Sequence, residues 1–394
     1  MRRLLVPTGV GMIALTFGLA RYGYGLLLPD MRAALGMGAG TAGLVGSSAY
    51  LGYLVANTAV VPLTVRTGPR LPLALATVAA AGGMSLIAIA SDVAWLTAGV
   101  LLAGASAGFA FPPYADIVAT VVPQSRRATA WAAISSGTGW GVAVAGPVVV
   151  VAGVDWRTAW LGFAAVAAGV GSAAVLSAPA GGDQASARAV ALRVGWFVCP
   201  QSGPLLASAV VIGAGSSVWW AFSVDAMRDF GVSASAARLV YAGCGIAGVL
   251  ATLTGPLVDR AGQRTAHAAA VLALVASLGV SALAGSAPSA LAAAAVGAVL
   301  FGVSYNAVIA VQGLWSADVF ADRPSAGLAA VSTGLTLGTL AGPALGGLAI
   351  EVAGFPVALL LAAAVTALAW PLAPPPEPSS HSRSKQRHAV RTGV

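Results

Sequence analysis

Apolar stretches, each bounded by charge or by Pro/Gly punctuation, recur along this chain near 4–28, 40–62, 71–90, 94–120, 128–152 and 156–177. They resume near 204–226, 235–257, 266–286, 289–315, 326–350 and 354–372. About 20 helical residues cross the hydrocarbon of a bilayer, so the pattern predicts an all-α membrane protein of twelve spans in two sets of six. The stretch from Pro179 to Gly203, with Asp183, Arg188 and Arg193, separates the sets. It reads as a linker over 179–203 between bundles at 1–178 and 204–373. The basic, Pro- and Ser-containing stretch 374–394 has no hydrophobic periodicity and reads as a disordered tail. Met1-Arg2-Arg3 leads into a run long enough to cross, and so opens the first span rather than a cleavable signal.

Composition makes lipid the solvent: 58% of residues are hydrophobic, 8% are charged and the mean hydropathy is +0.88, where soluble domains carry about 25% charged residues. The formal charge of +8 is spread as pairs between apolar runs, not as a stripe, which argues against a nucleic-acid partner. Its role is orientation. With loops assigned alternately to two sides, fifteen basic residues (Arg2, Arg3, Arg66, Arg70, Arg126, Arg127, Arg188, Arg193, Arg260, Arg264, Arg323, Arg383, Lys385, Arg387, Arg391) share one side. Three, Arg32, Arg157 and Arg228, take the other. The positive-inside rule then puts both termini in the cytoplasm of a multi-pass plasma-membrane protein. Asp30, Asp92, Asp155, Asp225, Asp229 and Glu351 fall on or near the outside. Cys199 and Cys244 lie in the linker and in an apolar run, so no disulfide framework is expected.

The two sets are duplicates. Pro62, Leu63, Arg66, Gly68 and Arg70 recur as Pro256, Leu257, Arg260, Gly262 and Arg264; Gly146-Pro147 recurs as Gly342-Pro343; Asp30, Gly36, Leu44 and Val45 recur as Asp225, Gly231, Leu239 and Val240. Between spans 8 and 9, Gly255-Pro256-Leu257-Val258-Asp259-Arg260-Ala261-Gly262-Gln263-Arg264 resembles the G-x-L-x-D-R-x-G-x-R loop signature of the major facilitator superfamily. In span 11, Gly338-x-x-x-Gly342-Pro343-x-x-Gly346-Gly347 resembles the antiporter motif of that superfamily's drug/proton antiporter-like branch. The first half departs from both patterns: Val65 stands where the loop signature has its aspartate, and span 5 keeps only Gly146-Pro147. The resemblance covers Leu4 to about Leu372. It implies two six-helix bundles that rock about a midplane site, driven by an ion gradient without ATP or any other cofactor.

The same resemblance implies a cytoplasmic gate of charge pairs formed in the outward-open state. Its residues would be Arg66, Gly68 and Arg70 in the first half and Gly255, Asp259, Arg260, Gly262 and Arg264 in the second. Asp116 is the candidate partner for Arg66, and Asp318 for Arg260. Gly338, Gly342 and Gly346 share one helical face and permit close backbone approach, while Pro343 removes a donor and bends the helix.

An arginine within a span costs at least ~2.5 kcal/mol on insertion scales and faces a cavity, a partner or the interface. Arg21 in span 1 is therefore the most informative single residue, with Tyr24 three residues on; snorkelling outward is the alternative. Trp219 and Trp220 hold the repeat-related place in span 7. Tyr50, Tyr53 and Asn57, Phe109 and Tyr114, and Tyr305 and Asn306 complete a candidate cavity with aromatic walls, each singly also explicable as packing. Deep carboxylates are scarce, leaving Asp225 and Asp116 as proton-coupling candidates.

Gly243-x-Gly245-x-x-Gly248 matches a dinucleotide fingerprint but lacks a preceding strand, so it reads as helix packing. There is no phosphate-binding G-x-x-x-x-G-K-[ST] loop and no H-E-x-x-H; the three histidines are His267, His381 and His388. Enzyme, metal and ATP-driven readings are disfavoured. The leading expectation is secondary transport of a small organic solute, first as proton-coupled efflux. Uptake or exchange of a small organic anion at Arg21 is the alternative, and a non-transporting sensor on the same fold the third.

Overall fold

The structure is a computed structural model describing residues 4–179, 199, 201–248, 250 and 254–375. Most of the expected linker, the start Met1-Arg2-Arg3 and all but the first residues of the tail lie outside these. The described chain is helical: α1 Leu5–Ile13, a π-helical segment Ala14–Leu19, α2 Gly23–Leu35, α3 Ala39–Thr67, α4 Arg70–Ala88, α5 Val93–Val121, α6 Arg127–Ser135, α7 Gly137–Ala152 and α8 Trp156–Ser177. The second half comprises α9 Ser202–Asp229, α10 Ala234–Ala247, α11 Thr254–Ala261, α12 Gln263–Leu283, α13 Ala290–Val319 and α14 Pro324–Ala367.

Ten helices among the described residues are long and apolar enough to cross a membrane. The last is two spans in one, because Gly354 at φ 82° breaks α14 between the expected spans 11 and 12. The expected span 8 is represented by α10 and α11. Span 1 runs past its expected end at residue 28, through Pro29, Asp30 and Arg32 to Leu35. The charges stay helical because each has a partner across the molecule: Arg32 pairs with Asp225, and Asp30 accepts from Arg238 at 2.8 Å.

Duplication is visible in the backbone. The positive-φ glycines fall into repeat-related pairs, Gly36 with Gly231, Gly68 with Gly262 and Gly153 with Gly354. Gly36 closes α2 in the left-handed region that a side chain resists. Asp92 and Ser289 cap α5 and α13, the equivalent helices of the two halves. Asp155 caps α8, and the Thr158 hydroxyl, followed by the Thr158 and Arg157 amides, holds its carboxyl below the usual range. Arg157 itself donates to the Ala88 and Ala90 carbonyls, both at 2.8 Å, at the end of α4. Asp30, Arg32, Asp155, Arg157, Asp225 and Arg238 thus have specific partners, a reason for their place that a charge count alone does not give.

Candidate functional site

The two halves meet at the end away from the arginine-rich loops, and small residues set how closely. A Cβ on Gly25 in α2 would strike the Trp220 carbonyl of α9. One on Gly146 in α7 would strike the Arg238 carbonyl of α10, and one on Gly43 in α3 the Pro343 carbonyl of α14. Gly347 lies against Ala39, and Ser47 accepts from the Ala344 amide at 3.1 Å. This close approach brings the Arg238 guanidinium onto Asp30 and the Arg32 guanidinium onto Asp225. The aspartates are repeat-related and each is held by an arginine of the opposite half, so the closure is reciprocal. The Glu351 carboxylate stands over Gly38 and Gly40 at the N-terminus of α3, where helix polarity favours negative charge.

Beneath this seam lies Arg21, buried at 9% exposure. Span 1 does not reach it as a regular helix. The Ala20 amide bonds the Leu15 carbonyl at 2.8 Å and the Tyr22 amide the Phe17 carbonyl at 3.1 Å, a five-residue register that widens the turn. The surplus residue rotates the segment beyond it, so Tyr22, not Tyr24, shares the Arg21 side. Tyr24 donates to the Ala42 carbonyl at 2.7 Å and packs on Gly46 of α3. Reading span 1 at 3.6 residues per turn put the wrong tyrosine beside the arginine.

Aromatic rings cage the guanidinium. Its Cζ lies 4.4 Å from the Tyr50 ring centroid, 4.7 Å from Tyr53, 5.5 Å from Phe17 and 5.7 Å from Tyr22. Such contacts stabilise a desolvated cation by about 0.5–2 kcal/mol each. Among the described residues no carboxylate pairs with Arg21, and its Nε has no hydrogen-bond partner. The snorkelling alternative does not match this position.

The second half closes the cage. Trp220 stacks on Tyr22 at 4.2 Å, Tyr305 meets the Trp220 ring edgewise at 5.8 Å, and the Tyr241 hydroxyl donates to the Tyr22 carbonyl at 2.9 Å. Trp220 Nε1 is buried without a partner. Arg21, Tyr53, Trp220 and Tyr305 are thus gathered with Phe17, Tyr22, Tyr50 and Tyr241 at the junction of the halves.

Other candidates lie elsewhere. Trp219 lies behind the cage rather than in it: it meets Trp220 edgewise at 5.5 Å and stacks on Tyr241 at 5.7 Å, but stacks on Phe301 at 4.1 Å and donates to Ser281 at 3.2 Å inside the second bundle. Tyr114 packs on Gly9 and Ile134 in a separate cluster of the first bundle, against which Phe109 also packs. Asn57 lies beside Gly108 of α5, and Asn306 is exposed and bonds its own helix at Gly302, 2.8 Å away. Phe17, Tyr22, Arg238 and Tyr241 were missed. For Arg238 a signal existed, because it is a second arginine inside an apolar run.

At the arginine-rich end, repeat-related Arg70 and Arg264 do the same job. Arg70 Nε donates to the Ala178 carbonyl at 2.9 Å and Arg264 to the Pro374 carbonyl at 3.4 Å, each just past the last helix of its own bundle. Gly68 and Gly262, at φ 74° and 79°, turn the chain there. Arg66, Asp116, Asp259 and Arg260 are exposed, and Gly255 has open space around it. Asp318 accepts from Gln263 at 2.7 Å, so Gln263 holds the carboxylate that the sequence offered to Arg260. Neither Arg66 with Asp116 nor Arg260 with Asp318 is an ion pair among the described residues. Of the proton-coupling candidates, Asp225 is paired with Arg32 and Asp116 lies exposed.

The Gly338, Gly342 and Gly346 face of α14 packs on Val210, Ala214 and Val218 of α9, while Pro343 and Gly347 face α3 across the seam. Gly245, from the dinucleotide-like run, packs against Gly139 and Ala143 of α7; Gly248 faces Asn306. That run is helix packing.

A family described as the uncharacterised MFS-type transporter YbfB matches residues 13–373. The chain belongs to this family. It is accordingly an MFS-type transporter in the bilayer and not an enzyme. The family's fold is seen in solved structures. The nucleoside transporter NupG matches at TM-score 0.75 and 13% identity, covering 93% of this chain and 98% of that one. A bacterial homologue of the human lysosomal transporter Spinster, inward-facing and unoccupied, matches at TM-score 0.75 and 15% identity, covering 94% and 96%. At such identities the likeness is one of fold. No curated protein matches the sequence.

Proposed function

We propose that the protein carries small organic anions by alternating access, with Arg21 as the counter-ion of the bound solute. The observation that carries this reading is a buried arginine at the junction of the halves, ringed by aromatics and unmatched by any carboxylate among the described residues. A solute carboxylate or sulfonate supplies the missing charge, and the rings supply an apolar wall. Because the cage is built from both halves, parting them exposes Arg21 and re-forming the seam encloses it.

The arginine-rich end is cytoplasmic on the positive-inside argument, so the seam at Asp30, Arg32, Asp225 and Arg238 closes the outer side of a plasma-membrane carrier, leaving it inward-facing. In the opposite state Arg66, Asp259 and Arg260 form the inner latch, with Asp116 and Asp318 as acidic partners; the latter must first leave Gln263. Proton-coupled efflux is the second reading, favoured by the packing of the Gly338 to Gly347 motif on both α9 and α3.

The test is counterflow in proteoliposomes with radiolabelled benzenesulfonate, a neutral organic solute and an organic cation. Anion counterflow that is lost in Arg21→Gln is the expected result. Flux of the cation or neutral solute, unchanged in Arg21→Gln, supports the efflux reading and removes Arg21 from the site.

A further inference from the structure

A second polar cluster lies wholly inside the C-terminal bundle, remote from the ion pairs. His267 of α12 and Gln312 and Ser316 of α13 are buried, at 0%, 0% and 1% exposure, and Trp315 is at 2%. Gln312, Trp315 and Ser316 share one face of α13, and the Trp315 ring meets the His267 ring edgewise at 5.7 Å. Gln312 Nε2 donates to Ser208 of α9 at 3.0 Å. Four atoms of this set, His267 Nδ1, Gln312 Oε1, Trp315 Nε1 and Ser316 Oγ, are buried without a hydrogen-bond partner.

Burying one such atom unsatisfied is unfavourable enough that natural interiors rarely do it, and four on one face of α13 and the ring beside it call for hydrogen-bonding partners. Their chemistry is mixed. Trp315 Nε1 only donates, Gln312 Oε1 only accepts and the Ser316 hydroxyl does both. His267 Nε2 lies 3.1 Å from the Ala369 carbonyl, which can only accept, so the ring's proton sits on Nε2 and Nδ1 keeps a free lone pair. The Leu372 carbonyl also faces the ring. This set suits water, and a bound water can relay a proton to Nδ1: as its O–H bond to the ring side breaks and the N–H bond forms, it takes up a proton from a hydronium ion of the bulk, so the water stays neutral and the ring gains the positive charge.

We infer that His267, with Gln312, Trp315 and Ser316, forms a hydrated proton-binding site that biases the alternation between the two states. It deepens the transport reading above without depending on the choice of solute. The link to the seam runs along one stretch of chain: Ala369 lies just past the last span, which joins at the Gly354 break the span that carries Pro343 and Gly347 against α3 of the other half. The charged groups around the ring are accounted for, while the seam's own carboxylates, Asp30, Asp225 and Glu351, are common to wild type and variant. Arg264, one turn earlier on α12, bonds Pro374; Gln263 bonds Asp318; α9 offers Ser208, and α13 and the end of α14 offer no charge to the ring.

The test needs only protons as probe. Spin labels at the seam end of the full-length protein in solute-free proteoliposomes report the fraction with halves parted as pH is varied. The wild type should show a one-proton transition on the acid side of the range scanned, absent in His267→Gln. A wild-type population that is flat over this range, or an unchanged transition in His267→Gln, overturns the proposal. If His267→Gln does not fold, Trp315→Phe removes one N–H and keeps the ring. It should move the midpoint by about 0.4–1 pH unit, the equivalent of one hydrogen bond, and an unmoved midpoint is the overturning result. Benzenesulfonate counterflow, measured separately, tests the Arg21 reading and is indifferent to this outcome.

Discussion

Asp225→Asn takes the negative charge from one of the two ion pairs that join the halves, and its cost can be bounded from the geometry. The Arg32 and Asp225 side chains are 23% and 11% exposed, between the surface pairs worth about 0–1 kcal/mol and the buried ones whose breakage costs about 3–5 kcal/mol. Arg32 keeps its bond to the Met37 carbonyl at 3.2 Å and an amide oxygen opposite, which softens the loss. A cost of about 1–3 kcal/mol is expected, borne only by the state in which the halves touch at this end. The population with the seam parted should therefore rise by about 5- to 150-fold relative to the closed one. Spin-label distances between the end of α2 and the start of α10 read this directly. The exchange Arg32→Asp with Asp225→Arg should return the distribution toward wild type, since the pair is re-formed in reverse. Unchanged distances in Asp225→Asn, or no recovery in the exchanged pair, refutes the seam as a latch.

Gly347→Leu places a side chain against the Ala39 carbonyl and should lower the closed population further than Gly346→Leu, which meets Val218 side chains of its own half; equal distance distributions would contradict this. Arg21→Lys should retain part of the anion counterflow that Arg21→Gln loses, because charge persists while the planar fork does not. Asp155→Ala should lower the melting temperature near neutral pH by uncapping α8. The Asp155 carboxyl has its folded pKa depressed, so its contribution is full above about pH 4 and fades as pH falls through the folded value. The gap between variant and parent should accordingly narrow below about pH 4. Arg264→Ala should free the carbonyl after the last span and raise protease cleavage near Pro374, with Arg70→Ala doing the same near Ala178.

Spans, duplication and family membership were legible because each rests on a local signal: run length, punctuation, or a motif such as Gly255 to Arg264. Arg21 was legible because a charge in an apolar run is anomalous whatever surrounds it. Its neighbours were not, since they depend on the π-helical turn at Ala14–Leu19, and nothing in single-residue spacing announces an extra residue in a turn. The ion pairs were half legible. Asp225 and Arg32 were both noticed, but their meeting joins residues far apart in the chain and depends on how closely Gly25 lets α2 approach α9. Asp318 shows the reverse: a plausible partner for Arg260 by its place just beyond span 10, it is taken by Gln263 once α12 and α13 are side by side.

The wide turn before Arg21 stores one residue more than a regular helix of the same rise needs. That surplus cannot vanish, but it can be handed along the helix by exchanging a five-residue hydrogen bond for a four-residue one, each step turning the segment it passes by about 100°. A cation carried on such a segment can change its heading without the helix unfolding or its ends moving apart. Span 1 thus holds a rotary adjustment at the depth where the two halves meet, one that a rigid-body description of their rocking would leave out.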